Sequence, residues 1–369
     1  MERCKCTKFF ADYPSMPAKL HFLSRKRGFI IMNFRKNFVS LPLMCRASGL
    51  HDCSRGANVM IFMEKFEVNI LGCGSAVPTI QHFPAAQVVN VREKLFMIDC
   101  GEGAQHQFRK MRLKFQSLGH IFISHLHGDH FFGLPGLIST FGMLGRTADM
   151  HIHAHRDLEA LLKPVLDYCC KGMDYKVIFD PLPEEVYQKP CLIYEDRSLT
   201  VHTIPLRHRM PSCGFLFREK PLLPHIRRDM IDFLQIPSTR IAAIKAGEGW
   251  TTEEGDFYPN ERLVTPADPP RAYAYCSDTC QLLQNAEQLR GVDLLYHEAT
   301  FSEELAPRAE QTQHSTARQA AEVAKAAGVK RLLIGHYSKR YTDSTVLLNE
   351  ARAVFPDTLA ANEGLCIQV

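Results

Sequence analysis

Ile121-Phe122-Ile123-Ser124-His125-Leu126-His127-Gly128-Asp129-His130 decides how this chain of 369 residues is to be read. An apolar strand over residues 120–124 runs straight into three imidazoles and a carboxylate within six positions. On a regular strand alternate side chains point to opposite faces, so these four groups could not converge. In a loop leaving the strand end, with Gly128 permitting a turn, they can. Imidazole nitrogen and carboxylate oxygen suit zinc and related first-row metals. The spacing lets two of the side chains face one metal and two a second. A chance histidine-rich surface loop is the competing reading. The strand context and the partners further along the chain weigh against it.

Those partners stand in the same context. His208 follows a strand over 199–204, Asp278 one over 271–276, and His336 one over 331–334. Open α/β sheets gather functional groups just past their strand ends. Singly, each residue has a bland reading: a surface histidine between Arg207 and Arg209, a turn or helix-capping aspartate, a turn histidine. Beside a loop that needs more ligands, they complete a site for two metals. Asp99, at the end of a strand over 94–98, is a carboxylate suited to orienting a histidine ligand, with a plain turn aspartate as the alternative.

Working outward, the stretch from Met63 alternates apolar and polar residues up to Gly72, the pattern of a half-buried strand. Strands come first and then alternate with helices, expected at 105–114, 134–145, 156–170 and 315–327. In the last, Ser315 or Thr316 is placed to cap the start and Gly328 sits just past the end. The order is that of an α/β domain, with a weak pseudo-duplication: each half sends polar residues off the ends of apolar strands. Residues 218–268 are polar, proline-containing and weakly patterned, and read as an insertion. Residues 1–62 show neither sustained strand alternation nor helical periodicity. They are expected to be a basic extension, disordered or a gene-model artefact ahead of Met63, with a transit peptide as the alternative.

Hydrophobic residues at 46% and charged residues at 23% are ordinary for a globular protein with a sizeable core. The net charge of +4 conceals an asymmetry: residues 1–62 carry 11 Lys and Arg against 3 Asp and Glu, so the remaining 307 residues are net acidic. The overall balance therefore says little about nucleic-acid binding by the body. No run approaches the roughly 18 apolar residues a membrane helix needs, so no membrane partner is expected. Thirteen scattered cysteines without a Cys-x-x-Cys pair do not read as a disulfide framework and point to a reducing, cytoplasmic setting.

The run His-x-His-x-Asp-His with a later His, Asp and His resembles the signature of metallo-β-lactamase fold hydrolases. The surrounding words are similar to those of the ribonuclease Z family, endonucleases that mature tRNA 3′ ends. They are Gly72-Cys73-Gly74-Ser75-Ala76-Val77-Pro78, Asp99-Cys100-Gly101-Glu102-Gly103, Gly128-Asp129-His130-Phe131-Phe132-Gly133-Leu134-Pro135-Gly136, His297-Glu298-Ala299-Thr300 and His314-Ser315-Thr316. The resemblance spans 65 to about 369. It implies an α/β, four-layer αβ/βα sandwich over 63–369, with a substrate-binding arm inserted at about 218–268. It implies two Zn2+ per subunit: His125, His127 and His208 on one, Asp129, His130 and His336 on the other, Asp278 bridging. It implies that Asp129 is the proton acceptor for a metal-activated hydroxide, and that His297 and Glu298 form a proton-supplying pair at the leaving 3′-oxygen; structural support is the alternative for that pair. His314 is expected to order a helix start or touch substrate. The implied activity removes the 3′ trailer from precursor tRNA, leaving a 3′-hydroxyl on the tRNA and a 5′-phosphate on the trailer, in a homodimer. A hydrolase of a small phosphodiester, sulfate ester or lactone is the alternative. The chain departs from the family in two places. Residues 218–268 lack the Gly-Pro-rich character of the family's arm, and Phe83-Pro84-Ala85-Ala86-Gln87 stands where an Arg-Asn pair is common.

Overall fold

Alternation of Phe66, Val68 and Ile70 with Glu67 and Asn69 opens the first strand of the core, β1 (Phe66–Gly72). The structure, a computed structural model, describes residues 64–369 together with the segments Phe29–Phe34 and Asn37–Pro42. The chain divides into two compact units, Met1–Phe62 and Met63–Val369. In the first unit the two described segments pair as an antiparallel hairpin, which the sequence reading did not anticipate. The rest of that expectation for residues 1–62 lies outside the described residues.

In the second unit, β2 (Ala86–Val91), β3 (Lys94–Cys100), β4 (Leu118–Phe122), β5 (Met150–Ala154) and β6 (Val177–Pro181) follow β1. A second sheet holds β7 (Leu192–Glu195), β8 (Leu199–Pro205), β9 (Cys213–Glu219), β10 (Ala272–Cys276), β11 (Leu294–Glu298), β12 (Arg331–Gly335) and β13 (Thr358–Ala360). The last strand, β14 (Cys366–Gln368), returns to pair with β1, so the sheet orders are β14-β1-β2-β3-β4-β5-β6 and β13-β12-β11-β10-β9-β8-β7. The joints from β3 through β6 and from β10 through β13 are parallel. Parallel neighbours end on the same edge, which is how residues far apart in sequence reach one place.

Phe66, Val89, Phe96 and Phe122 of the first sheet meet Val201, Phe215, Phe217 and Tyr273 of the second in one buried layer. Phe96 and Phe217 touch edge to face, with centroids 5.8 Å apart. On the outer face of the first sheet, Met97, Ile121 and Ile152 pack under Phe108, Phe141 and Leu162 from the helices Ala104–Lys110, Leu134–Met143 and Asp157–Cys169. Helices Ala317–Ala327 and Thr345–Val354 cover the second sheet, completing four layers. Thr316 caps the first of these through a reciprocal capping box with Gln319, and Gly328 ends it at φ 60°. The helix expected over 105–114 stops at Lys110, because Arg112 turns into the left-handed region at φ 56°.

Between β9 and β10 the chain leaves the sheets. It forms two short ribbons, His225–Ile226 with Val264–Thr265 and Trp250–Thr251 with Phe257–Tyr258, and helices Arg228–Phe233, Ile241–Lys245 and Asn260–Leu263. Ile236, Ile244 and Leu263, flanked by Trp250 and Tyr258, give this insertion a small core of its own. Among the described residues no helix is long and apolar enough to cross a membrane.

Candidate two-metal active site

The chain leaves β4 through Ser124 and enters the one-turn helix Gly128–Phe131, which carries Asp129 and His130. Gly128 is not in the left-handed region; a Cβ there would stand 2.2 Å from the Phe132 ring. Close approach of that exposed ring, rather than a left-handed turn, is what a side chain there would have to displace. All seven side chains expected at the site meet at this edge, in two groups.

In the first group, His127 Nδ1 lies 3.0 Å from His125 Nε2 and 3.2 Å from His208 Nε2. Asp278 Oδ2 lies 3.6 Å from His125 Nε2 and 3.8 Å from His208 Nε2. In the second, His130 Nε2 and His336 Nε2 each lie 3.4 Å from Asp129 Oδ2. Asp278 Oδ1 completes that group at 3.4 Å from His130 Nε2 and 3.1 Å from His336 Nε2. Asp278 thus turns one oxygen to each group.

Hydrogen bonds orient the imidazoles. Asp99 accepts from His130 Nδ1 at 2.8 Å, from Ser124 N and Oγ at 2.8 and 2.9 Å, and from the Tyr275 hydroxyl at 2.8 Å. Since the Ser124 hydroxyl donates to Asp99, it can accept from His125 Nδ1, 3.0 Å away. His208 Nδ1 donates to the Gln313 carbonyl at 2.9 Å. Thr300 Oγ1 donates to Glu298 at 2.7 Å and accepts from His336 Nδ1 at 2.9 Å. Each arrangement leaves the Nε2 lone pair facing its group. Asp99, Gln313 and His336 all sit at positive φ, 55°, 54° and 62°. Three non-glycine residues in that region around one site mark backbone strain held by the surrounding bonds.

These residues fit metal ions. Asp129 Oδ2, His130 Nε2, Asp278 Oδ1 and His336 Nε2 are buried polar atoms without a hydrogen-bond partner, and they are the four atoms of the second group. Buried atoms left so would be expensive unless a cation met them. The charges agree. Burial opposes charge on His130, yet Asp129, Asp278 and Asp99 hold its imidazole well above the ordinary histidine range, so this group favours a positive charge that a bound cation would supply in place of the proton. Burial also opposes charge on Asp129, but His130 and His336 outweigh it and keep the carboxyl far down. Burial keeps His125, His127 and His208 low and therefore neutral, the ligand form.

The structure does not bring the two side chains of the expected pair, His297 and Glu298, to the site together. Adjacent strand residues face opposite ways, and His297 is buried with its Nδ1 on the Glu298 carbonyl at 2.7 Å. The Glu298 carboxylate faces the site and takes a different imidazole: His314 Nδ1 lies 2.9 Å from Glu298 Oε1 and 4.0 Å from Asp278 Oδ2. Glu298 also accepts from the backbone N–H groups of Thr279, Thr300 and Ser315. Burial pulls His314 down, but Glu298 overrides it and holds the imidazole at about 9. An open pocket of about 590 Å3 lies over the site, with His127, Asp129, Asp278, His314 and His336 in its lining and Arg209, Arg308, Lys339 and Arg340 around it.

The family described as Anti-Pycsar protein Apyc1 matches residues 66–224, less than half of the chain. The ribonuclease Z of Phocaeicola vulgatus is 61% identical over 310 residues, covering 83% of this chain and 98% of its own. That of Bacteroides fragilis strain YCH46 is 59% identical over 307 residues, covering 83% of this chain and all of its own. The chain belongs to the ribonuclease Z family. As a ribonuclease Z it is a hydrolase, an endoribonuclease that depends on metal. The human tRNase Z, short form, superposes with a TM-score of 0.59 at 25% identity over 82% of this chain and 99% of that one. The metallo-β-lactamase fold protein YhfI of Bacillus subtilis superposes at 0.57 and 17% identity over 83% of this chain and 100% of that one. The four-layer sandwich is the metallo-β-lactamase fold. The 307 residues matched in Bacteroides fragilis equal the length of the unit Met63–Val369.

Proposed function

We propose that this ribonuclease Z removes the 3′ trailer from precursor tRNA, cutting 3′ of the discriminator nucleotide to leave a 3′-hydroxyl on the tRNA and a 5′-phosphate on the trailer. The observation that carries the reading is His314, paired with the buried Glu298, in the lining of the pocket that also exposes His127, Asp129, Asp278 and His336 of the two ligand groups. His125, His127 and His208 would hold one Zn2+, and Asp129, His130 and His336 the other, with Asp278 between them. When bound, two such ions make water nucleophilic near neutral pH and offset charge on the phosphate under attack.

The chain's own groups then divide the proton traffic. Asp129, kept ionised, lines the pocket and takes the proton of the attacking water. His314, held up at about 9, is protonated at neutral pH and gives a proton to the leaving 3′-oxygen. Glu298 keeps that imidazole charged and aimed. Arg209, Arg308, Lys339 and Arg340 neutralise phosphates at the rim, which answers the missing Arg-Asn pair. The insertion, with Arg228 and Arg240 exposed, serves as the arm that steadies the tRNA body.

Homodimer formation is supported by Leu161, Val165 and Tyr168, exposed at 54%, 42% and 83% along one face of helix Asp157–Cys169, with Met143 and Leu144 also exposed. The nine cysteines among the described residues are all free, which fits a reducing cytoplasm. The test is to incubate the pure chain with a precursor tRNA and map the cut to one nucleotide. A cut 3′ of the discriminator is expected. No cut, with a small phosphodiester still hydrolysed, would replace the tRNA reading by the small-substrate one.

A further inference from the structure

Beside the catalytic pocket lies a second cluster of a thiol, an imidazole and a carboxylate, drawn from three distant segments. Cys73 leaves β1, His82 closes the loop that follows, and Glu363 stands just before β14. Cys73 is fully buried, and the side chains of His82 and Glu363 are only 12% and 11% exposed. His82 Nδ1 lies 3.3 Å from Cys73 Sγ and 3.0 Å from Glu363 Oε2, and Cys73 Sγ lies 3.6 Å from Glu363 Oε1. The Cys73 thiol also donates to the Ala361 carbonyl at 3.4 Å.

We propose that Cys73, His82 and Glu363 form a further metal site, for a borderline divalent cation such as Zn2+, that fastens one wall of the catalytic pocket. The separations are those of atoms sharing one four-coordinate ion with metal–ligand distances of about 2.0–2.3 Å. A thiolate beside an imidazole selects zinc-like metals over Mg2+ or Ca2+. A single imidazole nitrogen faces both the sulfur and the carboxylate, so the three side chains converge on one point. On binding, the thiol proton leaves to solvent. Glu363 has a second use that a metal would reinforce: Oε1 accepts from the N–H groups of Cys73 and Phe83, the two ends of the loop, at 3.3 and 2.9 Å. Within that loop Ser75, Ala76, Val77 and Pro78 line the pocket. Tyr337, next to His336, is tied to it through Tyr337 N donating to the Cys73 carbonyl at 3.0 Å.

The full chain loaded with cobalt(II) tests this. Both catalytic groups offer only nitrogen and oxygen, so a near-ultraviolet thiolate-to-cobalt charge-transfer band would report sulfur ligation alone. We expect the band in the unaltered chain, its loss in Cys73→Ser and in His82→Ala, and one metal equivalent fewer in each variant. His82→Ala, in a surface loop, guards against a Cys73 variant that fails to fold. No band in the unaltered chain, or a band surviving in both variants, overturns the site and leaves a hydrogen-bonded clamp. Failure of the catalytic two-metal reading would appear differently, as loss of cobalt bound through nitrogen and oxygen with the thiolate band intact.

Discussion

In the first sheet three antiparallel joints are followed by three parallel ones, from β3 to β6; in the second, three antiparallel joints are followed by three parallel ones, from β10 to β13. The two halves share this plan but supply the site differently. The first sends four ligand side chains from a single loop after β4. The second sends three, one each from the ends of β8, β10 and β12. Support differs in the same way. One carboxylate, Asp99, braces the loop of the first half through three hydrogen bonds and takes a fourth from Tyr275 of the second half. In the second half a carbonyl holds His208 and a hydroxyl holds His336. One half is a cradle drawn from a single loop, and the other is a set of independent contributions that the parallel register brings together. Asp278 is the point where they join, so the strongest test of the comparison is there. Asp278→Ala removes a group 3.1–3.8 Å from four ligand imidazoles, two of them from each half. We expect cleavage to fall on the order of 10⁴-fold, with both metals lost on dialysis. Retention of one tightly bound metal would show that one half holds its ion without the other. Asp129→Ala, within the cradle, is expected to abolish cleavage while precursor tRNA still binds. Equal loss of both would make Asp129 architectural.

The next effect lies wholly in the second half. His314→Ala should lower kcat about 10²–10⁴-fold, whereas His297→Gln should leave it within about threefold, since its Nδ1 is bonded to the Glu298 carbonyl and the residue is outside the pocket lining. A substrate with sulfur in place of the leaving 3′-oxygen needs no proton and should restore most of the His314→Ala loss. If the sulfur substrate gives no recovery, His314 supports the site rather than donating a proton.

The proposed exchange of His297 for His314 shows where the sequence is legible and where it is not. The loop after β4 could be read because four ligands lie within six positions, and local spacing alone announces them. His208, Asp278 and His336 became legible through it, since each stands past an apolar strand. His314 could not be read this way. Its partner is set by the register that places Glu298 beside Gly335, next to His336, and by a helix start brought up against β11. A signal was nevertheless present: strand alternation allows only one of His297 and Glu298 to face the site. β5 escaped notice because Met150, Ile152 and Ala154 face the outer helices while His151 and His153 occupy the other face, so the strand looks half polar. The insertion's ribbons are two residues long, too short for any periodicity to show.

Smaller again is the contrast between the two halves' supports. Asp99→Asn replaces an acceptor with a donor facing His130 Nδ1, and Thr300→Val removes one hydroxyl from His336. Losing such partners weakens metal binding about 10–100-fold. Asp99→Asn should fall at the upper end and Thr300→Val at the lower, with Thr300→Ser close to the unaltered chain. Chelator competition measures this without activity. Equal losses would mean the cradle is no more dependent on its single brace than the second half is on its scattered ones.

The smallest effect separates histidines within the first half. His125, His127 and His130 leave a strand end for the site, whereas His120 and His153 face each other inside the sandwich, with Nδ1 and Nε2 3.0 Å apart and the His153 ring stacked on Phe122 at 4.6 Å. Burial, aided by the neighbouring His151, pulls His153 down to about 4, although Asp180 opposes the shift. The unfolded chain therefore takes up a proton near pH 6.5 that the folded chain refuses until about 4. Stability from this residue is complete above the unfolded value and drains away as pH falls across that window, by about 3 kcal/mol at most. His153→Phe should flatten the slope of unfolding free energy against pH between 6.5 and 4, measured by denaturant titration. The slope is the readout, not the level, because the substitution also removes the contact with His120. An unchanged slope would mean that acid lability comes from other imidazoles, either His120, which burial also holds down at about 4, or the strand-end histidines.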